Sequence, residues 1–404
     1  MPATIHNDVL VYKGSNFFRQ RLLLSTLSGR AVKIEEIRST QDDPGLKEYE
    51  VNLIRLLDKV TNGTRVELSE TGTSVYFQPG ILIGGQITHA CCSARGIGYY
   101  LEVLLALGPF CKEPLSAVLQ GVTHHDLDVS VDKIKAAGLP MLLKFILVDD
   151  GLELKVVRRG APPLGGGEIV FKCPVRRHLR PLQWSKWGLV KRIRGVVYAL
   201  RVSPTMANRV VEAAKGVMLK FLPDVYINTD QCRGPNAGKS PGYGISLVAE
   251  TDEKTFYCAE AVIKWYLACI YLKKSSEAGV GEASLPEDVG VQCAQKLLDE
   301  IYRGGCVDSC WQWLLALVYS CLNNYFFVNP QTVASKIVLV FLQVGPLSEY
   351  TITFLQHLKD FFGVMFKLEV LHDDSDDEDQ LITSQKVKMT CVGIGYANIS
   401  KRTL

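Results

Sequence analysis

Fourteen residues constrain this chain more than any others: Arg158-Arg159-Gly160-Ala161-Pro162-Pro163-Leu164-Gly165-Gly166-Gly167-Glu168-Ile169-Val170-Phe171. Two adjacent prolines fix φ and remove two N–H donors, so no helix passes through them. Gly165, Gly166 and Gly167 admit positive φ and let another backbone or an anion come close. Glu168 to Phe171 reads as a strand. The segment must be a rigid corner that feeds a sheet. With Arg158 and Arg159 in front, it fits a phosphate seat lined by glycine. It also fits a plain corner where a strand begins. A glycine run by itself is weak evidence, and composition favours the corner.

The chain has 404 residues, enough for two domains and a large core. Net charge is +3, so any basic surface must be local. Twelve cysteines are spread out with no CxxC pair, which indicates neither a disulfide framework nor a zinc site. Reduced thiols in a cytosolic or nuclear compartment fit that spacing. The vicinal pair Cys91-Cys92 reads as buried thiols. Met1 to Lys13 has no apolar core of a signal peptide. The most apolar run, Trp311 to Val328, is interrupted by Gln312, Asn323 and Asn324. It reads as a buried helix, not a membrane span.

An order of elements recurs. Val9–Tyr12 is a strand, Gly14–Ser28 a helix, Ala31–Ile37 a strand and Gly45–Thr61 a helix. Strands follow at Arg65–Leu68 and Ser74–Phe77, after the Asn62-Gly63 turn. The order then returns. Gly84–Ile87 is a strand, Gly98–Leu107 a helix, Leu115–Gln120 a strand, and Val129–Ala137 starts a helix. Leu143–Val148 and Leu152–Val157 read as strands ahead of the glycine corner. Two such units in succession suggest an internal structural repeat.

Composition changes after Glu168. From Ile169 to Val211 there is no acid, but ten basic residues: Lys172, Arg176, Arg177, Arg180, Lys186, Lys191, Arg192, Arg194, Arg201 and Arg209. Trp184 and Trp187 are interleaved. Positive charge with aromatic rings is a footprint for nucleic acid. A solvated hinge balanced by acids elsewhere fits equally well. Gly195–Leu200 is a strand, and Ser203-Pro204 caps a helix through about Phe221. Tyr226–Thr229 and Ile245–Ala249 are strands. Between them Gly238-Lys239-Ser240 imitates the end of a P-loop. No helix can run through Pro241-Gly242, so a P-loop is rejected. Val289–Tyr302 and Pro346–Gly363 are helices, and Met365–Leu371 and Val387–Val392 are strands. Six acids between His372 and Gln380 read as a solvated loop.

The glycine corner resembles the Arg-Gly-Tyr-Tyr-Pro-Lys-Gly-Gly-Gly-Glu signature of RNA 3′-terminal phosphate cyclases. Its Ala-Pro-Pro-Leu variant resembles the cyclase-like branch of ribosome assembly. Phe77-Gln78-Pro79-Gly80, Ile83-Gly84-Gly85, Gly121-Val122-Thr123, Ser240-Pro241-Gly242-Tyr243-Gly244-Ile245 and Gly305-Cys306-Val307-Asp308 follow in the family's order. The tail Val392-Gly393-Ile394-Gly395-Tyr396-Ala397-Asn398 resembles the cyclase-like branch in particular. Val262–Gly281 and Trp311–Ala334 fit no family motif. The resemblance implies an α+β fold: a large domain of repeated β-α-β-α-β-β units, with a smaller α/β domain inserted. The expected boundaries are 1–179 and 287–404 for the large domain and 180–286 for the insert.

In cyclases a histidine attacks ATP, carries AMP and passes it to the RNA 3′-phosphate, and the neighbouring 2′-hydroxyl then closes the ring. The resemblance places that histidine after the Gly-x-Val-Asp loop, where this chain has Cys310. Asn16 and Arg95 stand in two other altered motifs, and Leu164 replaces the lysine before the glycines. The expectation is a cyclase scaffold without cyclase chemistry, with no cofactor and no metal. Its RNA- or phosphate-binding candidates are Arg19, Arg158, Arg159, Gly165, Gly166, Gly167, Arg176, Arg177 and Arg180. The resemblance implies a factor of the small-subunit processome in the nucleus and nucleolus, needed for early pre-rRNA cleavages. Its implied partners are a ribosome-assembly GTPase and pre-rRNA, with no membrane. The alternative is an RNA-processing enzyme, either a pre-rRNA endonuclease or a residual cyclase. His124, His125 and Asp126 are its acid–base candidates, although the sequence favours a solvated turn for them.

Overall fold

The computed structural model describes residues 4–6, 9–146, 151–180, 182–263, 285–322, 325–326, 336–337, 340–371, 384–396 and 398. The fold is α+β, and its large part repeats one unit. In the first unit Val9–Lys13 lies parallel to Val32–Glu35, which lies antiparallel to Val75–Gln78, which in turn pairs with Arg65–Leu68. Helices Phe18–Ser28 and Glu48–Val60 connect these strands. The second unit has the same pairing order: Gly84–Ala90, Glu113–Gly121, Gly167–Cys173, Glu153–Arg158. In each unit the helices cover one face and the alternating apolar residues of the strands point at them.

A third unit is split. Val340–Val344 pairs with Lys386–Cys391, and that strand with Phe366–Leu371. Its helices are Gln312–Cys321 and Glu349–Phe362. The place of its first strand is taken by Trp184, bridged in parallel to Leu342. Trp184 N–H donates to Phe341 O at 3.2 Å, and Gln343 N–H to Trp184 O at 3.1 Å. About 130 residues of chain thus separate the first strand position, Trp184, from the helix that follows it at Gln312.

The insert occupies that gap. Its sheet runs Val225–Cys232, Val190–Leu200, Gly242–Thr251, Phe256–Val262. Pro204–Met218 covers it, with Ser203 capping and Pro204 in the first turn as the sequence indicates. Pro286–Arg303 packs beside that helix. Val289, Cys293, Ala294 and Leu297 join the core made by Ile193, Val197, Ile245 and Leu247. This helix was expected to open the last segment of the large domain; its apolar face is buried in the insert instead.

Two local expectations differ. The sequence pattern of Leu143–Val148 fits a strand, but Leu139–Ile146 is helical, and 147 and 148 lie outside the described residues. A short apolar run fits both periods. Here Met141, Leu142, Phe145 and Ile146 all fall on one buried helical face. Pro140 is accommodated by a wider π turn at Ile134–Gly138, where Leu139 N–H reaches Ile134 O. The strand Phe256–Val262 gave little signal, because Cys, Ala and Glu are not strand formers. Gln312–Cys321 is the buried helix expected within the apolar run, and Trp311 is fully buried. The acidic loop 372–380 and most of 262–281 and 323–334 lie outside the described residues.

Candidate functional site

The glycine corner receives protein backbone. Lys239 N–H donates to Gly165 O at 2.9 Å, and Leu164 N–H to Ser240 Oγ at 3.0 Å. Gly165 and Gly166 have φ of 63° and 82°, and a Cβ on Gly166 would crowd the Lys239 backbone. Gly167 pairs with Gly121 inside the sheet. The close approach that the glycines permit is therefore taken by the Gly238–Ser240 segment of the insert. This is the corner reading, with the insert as its occupant.

Arg158 is half exposed and 3.9 Å from Glu168. Arg159 is buried and clamps the two domains. Its Nη1 meets Asp132 Oδ2 at 2.6 Å, and its Nε meets Asp230 Oδ2 at 2.6 Å. Asp132 also accepts from His124 Nε2 at 2.8 Å. Burial opposes the charge on Asp132, but His124 and Arg159 overcome it and hold the carboxyl far below its usual range. His124 Nδ1 lies 3.0 Å from Thr123 Oγ1, and its ring packs 4.2 Å from Tyr198. His124 and His125 are 1% and 5% exposed, so the solvated-turn expectation fails for both histidines, while Asp126 beside them is exposed on a turn. His124 is thus a structural part of the seam between the domains, while His125 Nδ1 accepts from Leu127 N–H at 3.2 Å within its own loop.

The basic stretch divides. Lys172, Arg192, Arg194 and Arg209 pair with Glu153, Glu250, Asp224 and Glu287. Trp184 is buried, with Lys144 Nζ 3.6 Å above its ring, so it offers no face to a base. Arg176 Nε donates to Ile146 O at 3.2 Å. Arg177 and Arg180 are exposed and, among the described residues, make no side-chain ion pair.

Asn16, Arg19 and Arg95 come together. They line a pocket of about 280 Å³ with Phe17, Arg38, Tyr49, Glu50, Tyr99 and Tyr350 among its walls. Arg19 donates to Tyr99 O at 3.2 Å and to Tyr350 Oη at 3.1 Å, and it touches Glu102. Arg95 Nε meets Asp128 Oδ2 at 2.8 Å, and Gly96 N–H fixes the same carboxylate. Arg38 holds Glu50 at 2.7 and 2.8 Å. Burial raises the Tyr350 hydroxyl against the pull of Arg19, and raises Glu102 to about 7 against the same arginine.

Cys310 does not line this pocket, contrary to its expected place beside Asn16 and Arg95. The reason is the turn Ser309–Trp311, where Asp308 accepts from Cys310 N–H at 2.8 Å and aims the thiol at Lys133, 2.9 Å away. Lys133 lines a second cavity of about 440 Å³, between the 125–127 loop and the insert. Burial pushes the Cys310 thiol up to about 12, against the pull of Lys133. Tyr350 was missed in the sequence. The signal available was its place in the first turn after Ser348, whose hydroxyl caps the Glu349–Phe362 helix.

Behind the pocket, His357 is buried and accepts or donates at Nδ1 to Gln20 Oε1, 2.9 Å away. Burial, with Arg21 nearby, lowers its pKa to about 3. A depressed pKa means that the unfolded state takes up the proton first. Its stability contribution is full above pH 6.5 and is lost as pH falls towards 3. His357→Asn should therefore flatten the acid limb of stability. The wild type should lose on the order of 4 kcal/mol more than this variant between pH 7 and pH 3. Urea melts at stepped pH check it.

The family model of RNA 3′-terminal phosphate cyclase matches residues 10–368. The chain belongs to the RNA 3′-terminal phosphate cyclase family. A fruit-fly relative, the "Probable RNA 3′-terminal phosphate cyclase-like protein" of Drosophila melanogaster, is 55% identical over 100% of both chains. The human "RNA 3′-terminal phosphate cyclase-like protein" is 53% identical over 97% of both. The "rRNA processing protein rcl1" of Schizosaccharomyces pombe is 40% identical over 97% of both. The chain is thus similar to the cyclase-like branch along nearly its whole length. Its stretches 262–281 and 311–334 fall inside the span aligned with the fruit-fly protein. Among the described residues no His, Cys, Asp and Glu side chains gather as a metal set. No described helix is long and apolar enough to cross a membrane.

Proposed function

We propose that this cyclase-family protein is a non-catalytic factor of pre-rRNA processing, acting in the small-subunit processome in the nucleolus. The observation that carries this reading is the lining of the Asn16–Arg19–Arg95 pocket. Neither a histidine nor a cysteine stands among its lining residues. Adenylyl transfer through an enzyme-bound AMP needs a nucleophile beside the phosphates. Of the hydroxyls in that lining, Tyr350's is raised by burial and held by Arg19. The relative printed as an rRNA processing protein supports the placement in rRNA processing. The partners in this reading are pre-rRNA and a ribosome-assembly GTPase. The exposed Arg177 and Arg180 are contacts for the RNA backbone. Pre-rRNA cleavage by the protein itself is less favoured, because His124 is locked between Thr123 and Asp132 away from solvent.

The test has two arms on one preparation. Incubation with α-labelled ATP and a 3′-phosphorylated oligoribonucleotide should leave the protein unlabelled and the RNA end open. A pull-down from nuclear extract should recover pre-rRNA and a GTPase. A phosphoramidate or phosphoester adduct on the protein, or a 2′,3′-cyclic end on the RNA, would overturn the reading.

A further inference from the structure

The pocket wall is a ladder of alternating rings and guanidinium groups. Arg19 lies 5.7 Å from the Tyr350 ring centre and 4.9 Å from that of Tyr99. Arg95 lies 4.4 Å from the Tyr99 ring centre and 5.2 Å from that of Tyr49. Phe17 faces Tyr350 at 6.0 Å. Phe17 adopts φ 57°, a left-handed conformation that strains a bulky residue. The surrounding packing holds an aromatic ring at the pocket against that strain.

The three arginines are already neutralised. Glu102, Glu50 and Asp128 meet Arg19, Arg38 and Arg95, and each of these carboxylates is at most 3% exposed. Further guanidinium donors go to Tyr99 O, Gly45 O and the Tyr350 hydroxyl. Polyphosphate binding relies on unspent cationic donors. Here a phosphate chain would have to displace buried carboxylates and leave them uncompensated. A flat, uncharged π-system needs no such exchange. It stacks on tyrosine and guanidinium faces. Asn16, exposed at this pocket, offers both a donor and an acceptor for a base edge.

We propose that this pocket takes a single unpaired RNA base, stacked on the ring and guanidinium ladder, and that it is closed to polyphosphates. The proposal rests on the reading that the protein engages pre-rRNA. It makes the pocket a reader of single-stranded or bulged RNA, tolerant of base identity because every base has a π-face.

The test uses the full chain at pH 8, where Glu102 is ionised, and a single-stranded oligoribonucleotide carrying one 2-aminopurine. Binding should quench the probe. Adenosine should release it, and sodium tripolyphosphate at matched ionic strength should not. Tyr350→Leu and Tyr49→Leu, each checked for fold by circular dichroism, should each weaken the quenched complex about tenfold or more. The proposal is overturned if tripolyphosphate displaces the probe better than adenosine does. It is equally overturned if both variants quench as the wild type does. An oligonucleotide that binds without quenching removes the base pocket and leaves the pre-rRNA reading standing. If neither the oligonucleotide nor adenosine binds, both fall.

Discussion

Gly98→Ala is expected to cost at least about 3 kcal/mol and to deplete soluble folded protein. Gly98 lies in the first turn of the Ile97–Leu107 helix, where every residue is buried. An added Cβ would collide with the carbonyl oxygen of Val129, and would stand 2.9 Å from its carbon. Helix propensity acts the other way, since alanine gains about 1 kcal/mol over glycine. The clash wins because its partner is backbone that cannot yield. Val131 N–H is bonded to Thr123 O, and Ser130 N–H to Glu260 across the domain seam. Gly216→Ala is the control. Gly216 sits inside the Pro204–Met218 helix, its Cβ would meet nothing within 4 Å, and it should stabilise by about 0.5–1 kcal/mol. Denaturant melts of the two variants should move in opposite directions.

Arg159→Ala is expected to lose about 3 kcal/mol and to loosen the insert from the large domain. Removing the guanidinium leaves Asp132 with His124 alone, and leaves Asp230 without its partner across the seam. Asp230 is 43% exposed, so water screens part of its loss; Asp132 accounts for most of the effect. Arg159→Lys should rescue little, because one ammonium cannot reproduce the fork onto Asp132 together with the Nε bond to Asp230. Thermal melts should show the drop in stability. Limited proteolysis should show faster cutting within 174–189, where the insert joins. Unchanged proteolysis would deny Arg159 the role of a clamp.

Much of this architecture is legible in the sequence, and the losses have physical causes. The two complete units were visible because each pairs strands of period two with helices of period 3.6, separated by glycine and asparagine turns. The third unit was not, because its first strand position at Trp184 is separated from the rest by the whole insert. The helix Pro286–Arg303 had an unmistakable apolar stripe, but a stripe does not say which core receives it. In the site, Asn16 and Arg95, which stand in altered motifs of the resemblance, lie beside Arg19, which the sequence suggested only for RNA or phosphate binding. Cys310 was expected beside them and faces Lys133 instead. Motif order gives neighbours along the chain, and the short turn at Ser309–Trp311 decides where the thiol points. Tyr350 carries no motif and becomes a wall only when the Glu349–Phe362 helix packs against Phe18–Ser28.

The interrupted third unit sets a timetable for synthesis on the ribosome. The first two units are contiguous in the chain and can close as soon as Cys173 has emerged. The third must hold Trp184 unpaired until Phe341 and Gln343 arrive, more than 150 residues later, with the insert collapsing on its own core in between. Loop closure over that length makes the last sheet the slow step of assembly. A nascent chain stalled before Val340 would therefore carry two finished layers and an open apolar flank, a substrate for chaperones.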